Sequence, residues 1–168
     1  MFAPWHLSGH WETIKWLSYG PNIYSSRLAA AEGYADALLL SNALPGQASI
    51  VQTTIDSMYV LDGPTFSIGF IKEGKLYFPC WKTLGLLQST TQVLCSRAAQ
   101  TLLHIPVEEG VYQLDTILKA DEVFVMSSTR GIIPVDRIGS KTIPLGSIIP
   151  LLAESLETIS HDDHSTTR

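Results

Sequence analysis

A chain of 168 residues is long enough for one domain with a real core and short for a complete two-domain enzyme. Its composition, 45% apolar and 16% charged, excludes a disordered chain and describes a globular protein with a well-covered sheet. A net charge of −5 without a Lys/Arg cluster argues against a nucleic-acid partner, and no apolar run approaches the roughly 18 residues of a membrane span.

The first ten residues, MFAPWHLSGH, are too aromatic and uncharged for a signal or transit peptide. Residues 1–11 read as a leader remnant before a single domain over 12–160. Residues 12–16 are strand-like and carry Lys15 between Ile14 and Trp16. A lysine among apolar neighbours has two readings. Desolvation lowers its pKa and makes the amine a nucleophile, or the side chain snorkels from an exposed strand face.

Pro21-Asn22 opens a helix over 22–32, fed by three alanines and stopped by Gly33. A short buried strand over 37–40 precedes a polar connection, 41–57, which is long for its place. Strands follow over 58–61 and 66–71, with Asp62-Gly63-Pro64-Thr65 turning between them. Glu73-Gly74 is a hairpin turn into a strand over 75–78.

Ser89-Thr90-Thr91-Gln92 is a capping-box pattern, with Ser89 as N-cap and Gln92 reaching back, so a helix is expected over 89–102. Its N-terminal N–H groups and hydroxyls suit a phosphate, or they merely cap a helix. An extended segment over 105–112 and a short helix over 114–119 lead to KADEVFVMSSTRGIIPV. That stretch is a buried strand, a hydroxyl-rich turn at Ser127-Ser128-Thr129-Arg130-Gly131, and a second strand over 132–138. The turn either converges donors on an anion or is a plain tight turn with Gly131 at positive φ. A helix over 146–159 closes the domain, and 161–168 reads as a disordered tail. The fold class expected is α/β (mixed α+β), a curved mixed sheet with flanking helices.

Cys80 and Cys95 carry no metal-type spacing and read as thiols of a reducing, cytoplasmic compartment. The five histidines are dispersed, and no metal site is expected.

Four blocks, IKWLSYGPNIYSSRLAAAEGYADALLL, DGPTFSIGFIKEGKLYFP, LLQSTTQVL and LKADEVFVMSSTRGIIPV, stand in an order and spacing that resembles the class IV aminotransferases. These are pyridoxal-phosphate enzymes that include branched-chain and D-amino-acid aminotransferases and aminodeoxychorismate lyase. The resemblance covers about residues 12–159, and ADEVF…PV is its most specific piece.

The resemblance implies roles. Lys15 matches the lysine that joins the cofactor aldehyde and then moves the proton. Asp62 falls where the family has a glutamate, one methylene longer, that pairs with the pyridine nitrogen. Ser89, Thr90 and Thr91 match the helix start that cradles the cofactor phosphate, although the family has Gly-Ile-Thr there. Ser127 and Ser128 match a second phosphate-contacting turn, and Thr129 falls beside the substrate carboxylate.

The family places a small domain ahead of its lysine, and it contributes a phosphate-binding arginine and most substrate-selecting residues. Here residues 1–14 precede Lys15, so the expectation is the large cofactor-binding domain alone. Three functions follow from the resemblance: a transaminase acting between an amino acid and a 2-oxo acid, the lyase branch, or an inactive truncated paralogue. It also implies a homodimer.

Overall fold

The computed structural model describes residues 20–47 and 54–165. Its contacts divide the chain into two compact units. One comprises Met1–Phe66, Pro79–Gln88 and Gly110–Ile117; the other comprises Ser67–Phe78, Ser89–Glu109 and Leu118–Arg168.

In the first unit, helix α1 (Gly20–Ala31) starts two residues earlier than the sequence suggests. Pro21 lies in its first turn, where a missing N–H costs nothing. The chain leaves the helix at Gly33 with φ +80°, and Tyr34 N–H returns to the Ala29 carbonyl at 2.9 Å. Strands β1 (Leu40–Ser41) and β2 (Tyr59–Val60) pair antiparallel, with a 3-10 turn at Ile55–Ser57 just before β2. Leu39 and Asp62 extend the ladder, since Leu39 N–H donates to the Asp62 carbonyl. Two short helices also fall in this unit, α2 (Trp81–Leu84) and, up to Ile117, α4 (Leu114–Leu118). Periodicity does not reveal α2, because four residues make barely one turn; Gly85 ends it at φ 67°.

The second unit is built on a five-stranded sheet in the order β5-β4-β3-β6-β7. Strands β3 (Ser67–Lys72) and β4 (Lys75–Pro79) form the expected hairpin, with positive φ at both Glu73 and Gly74. Strand β6 (Glu122–Ser127) runs antiparallel to β3, and β7 (Gly131–Pro134) antiparallel to β6. Strand β5 (Val107–Gly110) flanks β4. Leu76 N–H donates to Pro106 and Cys80 N–H to Gly110, a constant offset that marks parallel pairing. The sheet is therefore mixed.

Helices α3 (Thr90–Thr101) and α5 (Ile148–Ser165) pack on each other and against this sheet. Cys95, Ala98 and Ala99 present small side chains from α3, so the helix lies close over Phe78 and Phe124. Those two rings meet edge to face at 6.0 Å. Gly69 makes room for them, because a Cβ there would run into both.

Glu122 explains much of the ADEVF block. It is 5% exposed in a strand of Val, Phe and Met, and its two carboxylate oxygens accept the Ile148 and Ile149 N–H groups at 3.1 and 3.0 Å. A helix start leaves four N–H groups without intrahelical partners. Glu122 takes two, and Pro150 has none to offer. Its negative charge also suits the positive end of the helix dipole.

Four sequence expectations are corrected. The strand expected over 132–138 is two pieces: β7 stops at Pro134, and Arg137–Ile138 (β8) turns at Gly139 to pair with Lys141–Thr142 (β9). Helix α5 runs to Ser165, taking in five of the residues read as a disordered tail. The capping box is half made: the Gln92 amide donates to Glu109 at 3.0 Å instead of returning to Ser89. The extended segment over 105–112 narrows to β5. The strand expected at 12–16 lies outside the described residues.

Among the described residues no helix is long and apolar enough to cross a membrane, and no group of three His, Cys, Asp or Glu is placed to hold a metal.

Candidate cofactor-phosphate site

The turn after β6 and the start of α3 lie 36 or more residues apart in sequence, yet they line one cavity of about 280 Å³. Thr90, Thr91 and Leu94 come from α3, Ser127, Ser128 and Gly131 from the β6–β7 turn, and Leu156 and Glu157 from α5. All belong to the second unit.

Each side of the cavity is fixed by local chemistry. Strand β6 is held between β3 and β7, and its last pair, Ser127 with Gly131, closes the turn. Gly131 sits at φ 66°, where a side chain is strained. The Ser127 hydroxyl accepts the Arg130 N–H at 3.2 Å and lies 3.4 Å from the Thr129 hydroxyl, which stiffens the turn from inside. On the other side, Ser89 caps α3, its hydroxyl accepting the Gln92 N–H at 3.2 Å. The N–H groups of Thr90 and Thr91 precede the first intrahelical bond, so they point out of the helix at its positive end.

This donor set fits a phosphate monoester: hydroxyls from two elements and N–H groups at the start of a 12-residue helix. Thr91 is buried, while Thr90 and Ser128 are open to solvent. The volume falls just below the roughly 300–1,000 Å³ of complete small-molecule sites, so it suits the phosphate end of a ligand. Glu157 is the one charged side chain in the lining.

Of the residues singled out from the sequence, Thr90, Thr91, Ser127 and Ser128 are brought together here. Ser89 stands behind them as the cap and does not line the cavity, and Thr129 is exposed on the same turn. Asp62 belongs to the first unit, directly after β2. Lys15 lies outside the described residues. Leu94, Leu156 and Glu157 were reachable from sequence only as members of helix faces, because helix periodicity does not say what a face meets. Cys95, on the buried face of α3, is no nucleophile: burial pushes its thiol from 9.0 up to about 12.

A family model described as amino-transferase class IV matches residues 4–138. A probable branched-chain-amino-acid aminotransferase of Thermotoga maritima is 31% identical over 101 residues, 58% of this chain and 36% of that protein. The branched-chain amino acid aminotransferase of Thermobaculum terrenum (M3 mutant) superposes with a TM-score of 0.72 at 26% identity, over 89% of this chain and 44% of that one. A hypothetical aminotransferase from Mycobacterium tuberculosis in its PLP-bound form gives 0.76 at 21% identity, over 90% and 48%. A putative 4-amino-4-deoxychorismate lyase from Legionella pneumophila gives 0.76 at 23% identity, over 94% and 54%. The chain thus spans about a third to a half of the length of these relatives. The last two likenesses are of fold, and the mixed sheet with flanking helices is the fold they share.

Proposed function

Since the chain belongs to amino-transferase class IV, we propose that it is the cofactor-holding part, residues 12–160, of a pyridoxal-phosphate-dependent transaminase that moves an amino group between an amino acid and a 2-oxo acid. The observation that carries this is the convergence of Thr90, Thr91, Ser127 and Ser128 on one cavity. The branched-chain aminotransferase likeness, 31% identical over 101 residues, favours transfer over the lyase branch.

When bound, pyridoxal phosphate supplies an electron sink for the carbon that gives up the amino group. The chain's own residues do the rest. Thr90 and Thr91 offer N–H and hydroxyl donors to the phosphate, Ser127 and Ser128 offer hydroxyls from the opposite side, and Ser89 keeps the helix start in place. The Asp62 carboxylate would pair with the ring nitrogen and favour its protonated form. The Lys15 amine would take the proton from the substrate carbon and return it, and Thr129 would serve the substrate carboxylate. A homodimer is part of this reading. The free thiols of Cys80 and Cys95 suit a reducing, cytoplasmic compartment.

The test is uptake of pyridoxal phosphate by the purified chain, read as a visible absorbance band and fixed by borohydride onto one peptide. The expected peptide carries Lys15, and Lys15→Ala should lose the band while keeping its circular dichroism. Label on another lysine, or none, overturns the assignment. Given an amino acid and a 2-oxo acid, amino transfer is expected; release of pyruvate from aminodeoxychorismate instead would mark the lyase branch.

A further inference from the structure

The cavity contains an opposition that a plain phosphate cradle does not need. Thr90, Thr91, Ser127 and Ser128 contribute neutral donors, and the helix terminus contributes about half a positive charge. The one charged residue that shares the lining with them is Glu157. Its backbone is not free to move away, because Leu152, Leu156 and Ile159 on either side are buried in the core and Glu122 pins the start of the same helix. Its side chain is exposed at the cavity edge.

We infer that Glu157 limits how strongly this cavity holds a doubly charged phosphate, and so sets the affinity for the cofactor through its phosphate rather than its ring. The inference rests on the phosphate reading above. A carboxylate near a phosphate repels it by an amount that grows with the phosphate charge and is screened by salt. Replacing it with the isosteric amide removes the repulsion and leaves the neutral donors in place.

The experiment compares wild type, Glu157→Gln and Glu154→Gln in binding pyridoxal phosphate and pyridoxal, each at low and high salt. Glu154 is exposed on the same helix and does not line the cavity, so it makes the same charge change elsewhere. Glu157→Gln should bind pyridoxal phosphate about fivefold more tightly at low salt. The gain should shrink with salt, pyridoxal should be unaffected, and Glu154→Gln should match wild type. Equal gains for both ligands, equal gains in both variants, or no gain overturns the role of Glu157. Weaker binding also overturns it, and would mean that the carboxylate recruits a cation to the phosphate. A second arm titrates inorganic phosphate against the amide signals of Thr90 and Thr91. If neither protein takes up cofactor but phosphate still binds Glu157→Gln more tightly, the cofactor reading falls and the role of Glu157 stands. No phosphate response in either protein overturns both.

Discussion

Cys95 shows how far one buried atom can be read. It sits at 0% exposure on the buried face of α3, packed with Ala98 and Ala99 against the sheet, and desolvation raises its thiol from 9.0 to about 12. The folded state therefore keeps its proton longer than the unfolded chain does. The stability this contributes is complete below 9.0 and is lost as pH rises toward 12. Between about pH 8 and about pH 10, Cys95 should cost the fold on the order of 1 kcal/mol. Urea midpoints at the two pH values check this. Cys95→Ala should lower stability at both and lose that share of the alkaline decline; an undiminished decline would mean that other groups cause it.

Between elements, the decisive link is Glu122. It joins the central strand β6 to the start of α5, and the two structures depend on one carboxylate with both oxygens engaged. Gly146 permits the approach, since a Cβ there would overlap the Glu122 side chain. Glu122→Gln keeps the volume, but its amide nitrogen cannot accept an N–H. One of the Ile148 and Ile149 N–H groups is then left unpaired in a buried place, which costs about 1–3 kcal/mol. Denaturant unfolding should show that loss with an unchanged m-value. Intact stability would show that the cap is replaceable by water.

For the whole molecule, the expectation is self-association. Ile23 and Tyr24 stand exposed side by side on α1, at 50% and 64%, in a chain that spans about half the length of its structural relatives. Apolar side chains left in water gain free energy when a second copy covers them. Light scattering at micromolar concentration should give a mass near twice 18.4 kDa. A species of 18.4 kDa that still takes up pyridoxal phosphate would show that one copy is enough for binding.

What the sequence by itself determined is whatever depends on residues within about four positions of each other. Gly33 and Gly85 end helices because only glycine turns left-handed without strain, Glu73-Gly74 makes the hairpin, and Ser89 caps α3; of these, only Gly85 went unread. The family is carried differently, by the order of four blocks along the chain, each legible on its own. The tertiary structure decided what distant residues share. Gln92 obeys the capping pattern until Glu109, 17 residues away, offers its side chain a better partner. Glu122 looks like a misplaced charge in an apolar strand until α5 arrives with two N–H groups needing an acceptor. The strand read over 132–138 breaks at Pro134 because Arg137 and Ile138 find another partner in Lys141 and Thr142. Thr91 and Ser127 meet because α3 and β6 are each fixed by the sheet, a long-range placement that no local pattern encodes.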